Sequence, residues 1–139
     1  GQYATMLYGV VDARAGHFRY AAAAAPRPLV ADLRTGVIDA GEGRGLPLGA
    51  VFGARFAERS LKIPPGSLLV LCSDALAESI DRSGASLGKD GIVDLLRDVV
   101  LEKGERTDAM ALLEPFFDKV DRPLRDDLTL VTCRIPASS

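Results

Sequence analysis

The chain has 139 residues, 47% hydrophobic and 26% charged, which fits one globular domain able to build its own core. Its net charge is −2 and its basic residues are scattered, so composition does not indicate nucleic-acid binding. No apolar stretch approaches the roughly 20 residues that span a bilayer, and residues 1–25 lack a signal-peptide pattern. Cys72 and Cys133 lie in apolar runs without C-x-x-C spacing, which predicts buried, reduced thiols in a cytoplasmic protein.

The first part of the chain predicts a hairpin and a third short strand. Residues 3–11 are apolar and strand-like, residues 12–16 read as a turn, and alternation begins again at His17. The alanine run 21–25 is expected to end the second strand rather than form a helix, because prolines follow it at once. Residues 29–32 predict the third strand.

The middle of the chain leads to its most apolar strand. Residues 41–49 contain four glycines and predict a loop, and residues 52–63 predict one or two strands. Residues 68–72 are five consecutive apolar residues after Gly66, as in a strand buried on both faces. This strand ends at Asp74.

The remaining residues predict two helices and a closing strand. An apolar stripe predicts a helix over 90–102, and a second helix begins near Thr107 with a kink or break at Pro115. Residues 128–135 predict the last strand. Strands followed by helices and a return strand indicate an α+β fold. Six side chains are expected to be almost fully buried, namely Leu69, Leu71, Ile92, Leu96, Val99 and Leu130.

Three aspartates are expected to meet at one sheet edge. Asp74 follows the central strand, while Asp126 and Asp127 precede the closing strand. In an antiparallel pair these two ends lie together, and the carboxylates would need a hard cation such as Mg²⁺ or Mn²⁺ or a raised pKa. Two alternatives stay open: Asp74 simply caps a helical stretch, and Asp126 and Asp127 are solvated turn residues.

Four stretches carry a resemblance to a known family. They are YATMLYGVVDARAGHFRYAAAAAPRPLV, GLPLGAVFGARF, IPPGSLLVLCSDALAES and RDDLTLVTCRI. In this order and spacing, the chain resembles the metal-dependent protein phosphatases of the 2C type, in their bacterial SpoIIE-like branch. The resemblance implies a sandwich of two packed antiparallel sheets flanked by helices. Residues 1–139 would be the C-terminal portion of one such domain, with its N-terminal part missing.

The resemblance also implies a site and a substrate. In that family two metal ions, Mg²⁺ or Mn²⁺, activate the water that attacks a phosphoserine or phosphothreonine. Asp74 and Asp126 match metal ligands, and Asp127 is the second acidic residue of its motif. The implied substrate is a phosphoprotein such as an anti-sigma-factor antagonist, in bacterial stress or developmental signalling. A response-regulator or sensor domain upstream is also implied.

Three departures from the family pattern weigh against a complete site. The first acidic motif would lie before residue 1, the usual Ala-Gly-His is Ala23-Ala24-Ala25, and the central motif has Ala75 for Gly and Ser67 for Asp. We therefore expect these 139 residues alone to show no phosphatase activity, and a longer protein to be active. The rival hypotheses are a catalytically inactive phosphatase fold that binds partners as an adaptor, and a purely structural domain.

Overall fold

A computed structural model describes residues 1–138 as two antiparallel sheets and three α-helices. In chain order, the strands are β1 (Met6–Asp12), β2 (His17–Ala23), β3 (Leu29–Asp32), β4 (Ile38–Ala40), β5 (Arg59–Lys62), β6 (Ser67–Cys72) and β7 (Leu130–Ile135). The helices are α1 (Asp74–Glu78), α2 (Gly88–Lys103) and α3 (Ala109–Lys119), with a 3₁₀ turn at Gly104–Arg106. The first sheet has the order β1-β2-β5, and the second sheet has the order β4-β3-β6-β7. This confirms the predicted α+β sandwich of packed antiparallel sheets.

The hairpin of β1 and β2 forms as predicted. Asp12 pairs with His17 across the turn, and the Asp12 carboxylate accepts a hydrogen bond from the Ala15 N–H at 2.9 Å. The second strand continues through Ala23, so the alanine run extends the strand rather than forming a helix. β3 has the predicted bounds, whereas β4 was not predicted and residues 52–58 form no strand.

Alternation along β6 separates two hydrophobic clusters. Leu68 and Val70 pack with the helices, whereas Leu69 packs against Phe18 and Tyr20 of the first sheet. The two aromatic rings stack, with centroids 5.2 Å apart. The strand is therefore buried on both faces, as its continuous apolar run predicts. Among residues 1–138 the helices cover only the outer face of the second sheet.

The helices differ from prediction at their ends. α2 begins two residues before Asp90 and ends at Lys103, and the next residue, Gly104, has a positive φ that favours glycine. The α3 helix begins after Asp108, whose carboxylate accepts a hydrogen bond from the Ala111 N–H at 2.8 Å. It runs unbroken through Pro115, so the predicted break is wrong. Ala111, Leu112 and Phe116 of this helix are buried in the core, and this packing offsets the local cost of the proline.

Burial matches prediction at four of the six core positions. Leu69, Ile92, Leu96 and Val99 are all at most 8% exposed. Leu71 and Leu130 are only partly buried, so that prediction is wrong for them. Both lie where the β6–β7 pair ends, at the edge that opens onto the cleft described below.

Candidate metal-binding cleft

The end of the β6–β7 pair brings the acidic segments together. The two strands are antiparallel, with Cys72 opposite Leu130, as the sequence predicts. Ser73 then extends the pairing beyond the strands: its N–H donates to the Thr129 carbonyl at 2.9 Å, and its Oγ accepts from the Thr129 N–H at 2.9 Å. The same hydroxyl donates to the Asp127 carbonyl at 3.4 Å. Ser73 thus fastens the start of α1 to the segment that carries Asp126 and Asp127.

Asp74 is the first residue of α1 and is half-buried. The N-cap position belongs to Ser73, whose side chain makes no capping hydrogen bond. The interpretation of Asp74 as the helix cap is therefore wrong. Its carboxylate lies in the first helical turn, where negative charge is favoured.

Asp126 and Asp127 occupy an exposed bend just before β7. The Asp126 Oδ1 accepts a hydrogen bond from the Asp127 N–H at 2.8 Å, which orients this carboxylate. Neither residue makes an ion pair within residues 1–138. Exposure agrees with the solvated-turn alternative, but the two residues also share a cleft with Asp74.

A cleft of about 410 Å³ is lined by all three aspartates. All three aspartates lie in segments that adjoin the second sheet. Met6, Leu7 and Ala25 form another part of the cleft wall. Ala75 also lines the cleft. The alanines at positions 25 and 75, which depart from the family pattern, therefore border the same space as the candidate ligands.

These residues have the ligand type that a hard divalent cation prefers, but the described part of the chain has too few of them for a complete site. Carboxylate oxygens are the ligands that Mg²⁺ and Mn²⁺ prefer. Within residues 1–138, however, no group of three or more His, Cys, Asp or Glu side chains is arranged to hold a metal ion. The three aspartates share a cleft but do not form a complete coordination sphere in this part of the chain.

Cys72 also lines the cleft, and its chemistry is that of a neutral thiol. Burial, and then the nearby charge of Asp74, raise the pKa of Cys72 to about 11. At neutral pH the thiol is therefore protonated, which makes it a weak nucleophile. Both cysteines are free and partly buried, which agrees with the predicted reduced state but not with complete burial.

Sequence reasoning missed a group of basic residues beside this cleft. Arg27, Arg44 and Lys89 line an adjoining cavity of about 340 Å³. They are far apart in sequence, and the only local signals are an arginine between two prolines and another within a glycine-rich loop. Only the fold brings them together.

Comparison with known families decides the relationship. Residues 1–136 match the family model for Stage II sporulation protein E (SpoIIE). The chain belongs to the SpoIIE family. The predicted resemblance to 2C-type phosphatases of this branch is thereby confirmed. No curated protein matches the chain significantly. Within residues 1–138, no helix is both long and apolar enough to cross a membrane.

Solved structures with the SpoIIE family fold cover nearly the whole chain. The SiaA-PP2C domain of Pseudomonas aeruginosa aligns with a TM-score of 0.72 and 21% identity, over 94% of this chain and 51% of that one. The RsbU and RsbW domains of Rv1364c from Mycobacterium tuberculosis align with a TM-score of 0.74 and 25% identity, over 96% and 37%. The chain therefore spans about half or less of these proteins.

The third relative is the SpoIIE protein of Bacillus subtilis. Its PP2C phosphatase domain, with a fragment of the regulatory domain, aligns with a TM-score of 0.75 and 17% identity, over 94% of this chain and 37% of that one. The same phosphatase domain presoaked with Mn aligns with a TM-score of 0.69 and 18% identity, over 98% and 58%. These likenesses show that the chain has the fold of a 2C-type phosphatase domain.

Proposed function

We propose that the chain is the C-terminal portion of a metal-dependent serine/threonine protein phosphatase domain. One observation carries this proposal: Asp74, Asp126 and Asp127 line a single cleft at the end of the β6–β7 pair in a 2C-type fold. Acidic side chains in such a fold suit a metal-assisted phosphatase, which needs no side-chain nucleophile. The protonated state of Cys72 is in keeping with that chemistry.

Asp74 and Asp126 would hold Mg²⁺ or Mn²⁺, and Asp127 would contribute charge beside them. When bound, the metal ions supply neutralisation of phosphate charge and a water molecule of lowered pKa. The described residues position these ligands: Ser73 ties the α1 start to Thr129, and the Asp127 N–H orients the Asp126 carboxylate. The Mn-presoaked phosphatase domain of the Bacillus relative supports a divalent metal.

The remaining ligands would come from another part of the longer domain. Support comes from the relatives, of which this chain covers between 37% and 58%. Within residues 1–138, no group of three or more His, Cys, Asp or Glu side chains is placed to hold a metal ion, which also supports ligands from elsewhere in the domain. We propose that residues 1–139 form one portion of a single phosphatase domain, with the other acidic motif supplied before it.

The proposed substrate is a phosphoserine on a cytoplasmic partner protein of the anti-sigma-factor antagonist type. Two relatives support a signalling context. One structure joins RsbU and RsbW domains in a single protein, and another joins a phosphatase domain to part of a regulatory domain. A response-regulator or sensor domain in the same protein as this chain is the corresponding proposal here.

A second function is favoured by the alanines in the cleft. Ala25 and Ala75 are 6% and 5% exposed and border the space that the three aspartates line. A methyl group at each position removes the polar or glycine residue that the resemblance implies there. A catalytically inactive phosphatase fold that binds partners in sigma-factor control would tolerate both changes.

Hydrolysis of a phosphoserine protein by the longer protein separates the two functions. We expect Mg²⁺- or Mn²⁺-dependent turnover that Asp74→Asn and Asp126→Asn each abolish, while the 139-residue chain alone shows none. The matched control is Asp98→Asn on the exposed face of α2, which should keep full turnover. Absence of metal-dependent turnover on a range of phosphoproteins, with equal partner binding by all variants, would establish the adaptor instead.

A further inference from the structure

Three cationic side chains line one cavity beside the acidic cleft. Arg27, Arg44 and Lys89 share this space of about 340 Å³ with the loop residues Gly41, Glu42 and Gly43. Arg27 is half-buried, and the other two basic residues are exposed. Their charges therefore face a concave surface that solvent reaches.

The positive charge of this cavity has no partner within the described chain. Glu42 is the one carboxylate in the lining, and it forms an ion pair with Arg59 of β5. Arg27, Arg44 and Lys89 make no ion pair with any residue of the stretch 1–138. The cavity is thus lined by three cationic groups free to bind an anion.

The backbone that carries the two arginines is held in place. Arg44 has a φ of +68°, and its N–H donates to the Ala25 carbonyl at 2.5 Å while its own carbonyl accepts from Ala24 at 2.7 Å. A Cβ at Gly43 would stand 2.4 Å from the Arg27 nitrogen, so only glycine lets the loop approach this closely. A left-handed non-glycine residue kept by two hydrogen bonds is typical of functional sites.

The basic cavity adjoins the metal-binding cleft without being part of it. A smaller cavity, lined by Arg27, Arg44 and Lys89 together with Cys72 and Asp74, lies against both. None of the three candidate metal ligands lines the basic cavity itself. An anion bound in the basic cavity would therefore lie beside the candidate metal ligands and not among them.

We propose that Arg27, Arg44 and Lys89 form a subsite for a second negatively charged group of the substrate, a carboxylate or phosphate near the phosphoserine. The inference rests on the proposed phosphatase function and adds the class of substrate: phosphoproteins with an acidic neighbour to the phosphoserine. Arginine and lysine bind such oxyanions by charge-assisted hydrogen bonds, and desolvation in a concave site strengthens them. The Glu42–Arg59 ion pair occupies the one carboxylate that lines the basic cavity itself.

The test compares peptide binding to the longer protein in the presence of Mg²⁺ by fluorescence anisotropy, because bound metal neutralises the charge of the three aspartates beside the subsite. The probes are peptides that carry a non-hydrolysable phosphonate analogue of phosphoserine and differ only in the flanking residue: glutamate, a second phosphonate analogue, or glutamine. We expect the two acidic peptides to bind about five- to tenfold more tightly than the glutamine peptide at low salt, with the difference shrinking as salt is added. The tighter of the two acidic peptides identifies carboxylate or phosphate as the preferred group.

Variants assign the preference to the subsite. Arg44→Gln and Lys89→Gln should each lose most of the preference for acidic peptides and bind the glutamine peptide as before, whereas Arg44→Lys should retain part of it. The matched control is Arg14→Gln, which should change nothing. Arg14 is exposed in the β1–β2 turn and makes no ion pair within residues 1–138. Arg59→Gln should weaken the preference, because it frees the Glu42 carboxylate.

Two results would overturn the subsite. One is equal binding of acidic and glutamine peptides by the folded chain, with folding checked by circular dichroism. The other is loss of binding to the glutamine peptide in the Arg44→Gln variant. That loss would mean that Arg44 contacts the reacting phosphate and not a second anionic group. Turnover is measured separately on the longer protein with the phosphoserine form of the glutamine peptide. An acidic preference without any turnover would remove the phosphatase function and leave the subsite intact.

Discussion

The two sheets of the fold differ sharply in how much of them is covered. β6 of the second sheet has hydrogen-bonded strands on both sides, and its residues Ser67 to Val70 are at most 3% exposed. β1 of the first sheet is an edge strand, and within residues 1–138 its Met6, Tyr8 and Val10 are at least 45% exposed. We therefore expect the second sheet to contribute more to stability than the first. The three aspartates of the cleft lie in the segments that adjoin its β6–β7 pair.

The largest loss of unfolding free energy should come from substitutions in the layer between the second sheet and the helices. Leu96 of α2 is 2% exposed, whereas Leu101 of the same helix is 64% exposed. Leu96→Ala should lower the free energy of unfolding by roughly 2–5 kcal/mol, because it leaves a cavity in the core. Leu101→Ala should stay within about 0.5 kcal/mol in the same urea melts. Equal losses for the two variants would contradict the helix orientation.

A matched pair of valines compares the sheets directly. Val70 on β6 is 3% exposed and Val10 on β1 is 45% exposed. Val70→Ala should cost about 1.5–3 kcal/mol of unfolding free energy, from lost burial and the space left behind. Val10→Ala should cost less than about 0.5 kcal/mol. A loss at Val10 as large as that at Val70 would mean that the first sheet contributes as much as the second.

The N-cap of α3 should make a smaller contribution to the free energy of unfolding. The Asp108 carboxylate accepts a hydrogen bond from the Ala111 N–H, which satisfies a donor at the helix start. Asp108→Ala should lower thermal stability by about 1 kcal/mol. Asp118→Ala, at an exposed position near the other end of the same helix, serves as the control and should be nearly neutral. A stability unchanged by Asp108→Ala would show that the cap contributes nothing.

The smallest expected effect is a pH dependence from the turn after β3. Hydrogen bonds from the Arg34 and Thr35 N–H groups hold the pKa of the Asp32 carboxyl below its ordinary value of 3.8. Because the folded-state pKa is the lower one, ionised Asp32 stabilises the fold above pH 3.8, and this contribution is lost as the pH falls through the folded-state pKa.

Asp32→Asn should therefore flatten the fall in unfolding free energy between about pH 5 and pH 2. Asp39→Asn on the neighbouring strand β4 is the control, since the Asp39 side chain accepts no hydrogen bond in this part of the chain. Urea melts at a series of pH values give both slopes. If unfolding free energy falls with pH equally steeply in Asp32→Asn and in the unaltered chain, Asp32 does not contribute to the pH dependence.

The second sheet was also the part that the sequence predicted best. The continuous apolar run before Asp74 and the bounds of β3 follow from local pattern, and so does the antiparallel pairing that joins the acidic segments. The unpredicted strand β4 has only three residues and follows a tight turn at Gly36, so its pairing depends on β3 rather than on its own pattern. Pro115 was misjudged because tertiary packing outweighs its local cost.

The site was predictable only where its residues follow sheet strands. Asp74 and Asp126 could be placed together because strand ends in an antiparallel pair must meet. The basic residues could not, since Arg44 reaches Arg27 through a left-handed backbone and a close approach at Gly43 that no periodicity encodes. The role of Ser73 as the link between both acidic segments likewise depends on side-chain contacts.

The placement of all three aspartates in segments that adjoin the β6–β7 pair has a consequence for motion. Amide hydrogens of β6, bonded within a sheet that continues on both sides, should be among the slowest to exchange with deuterium. Those on the outer edge of β1 should exchange early. Local opening of the hairpin would then reshape the wall formed by Met6 and Leu7 without separating Asp74 from Asp126. The spacing of the ligands and the width of the cleft are thus set by regions that fluctuate on different timescales.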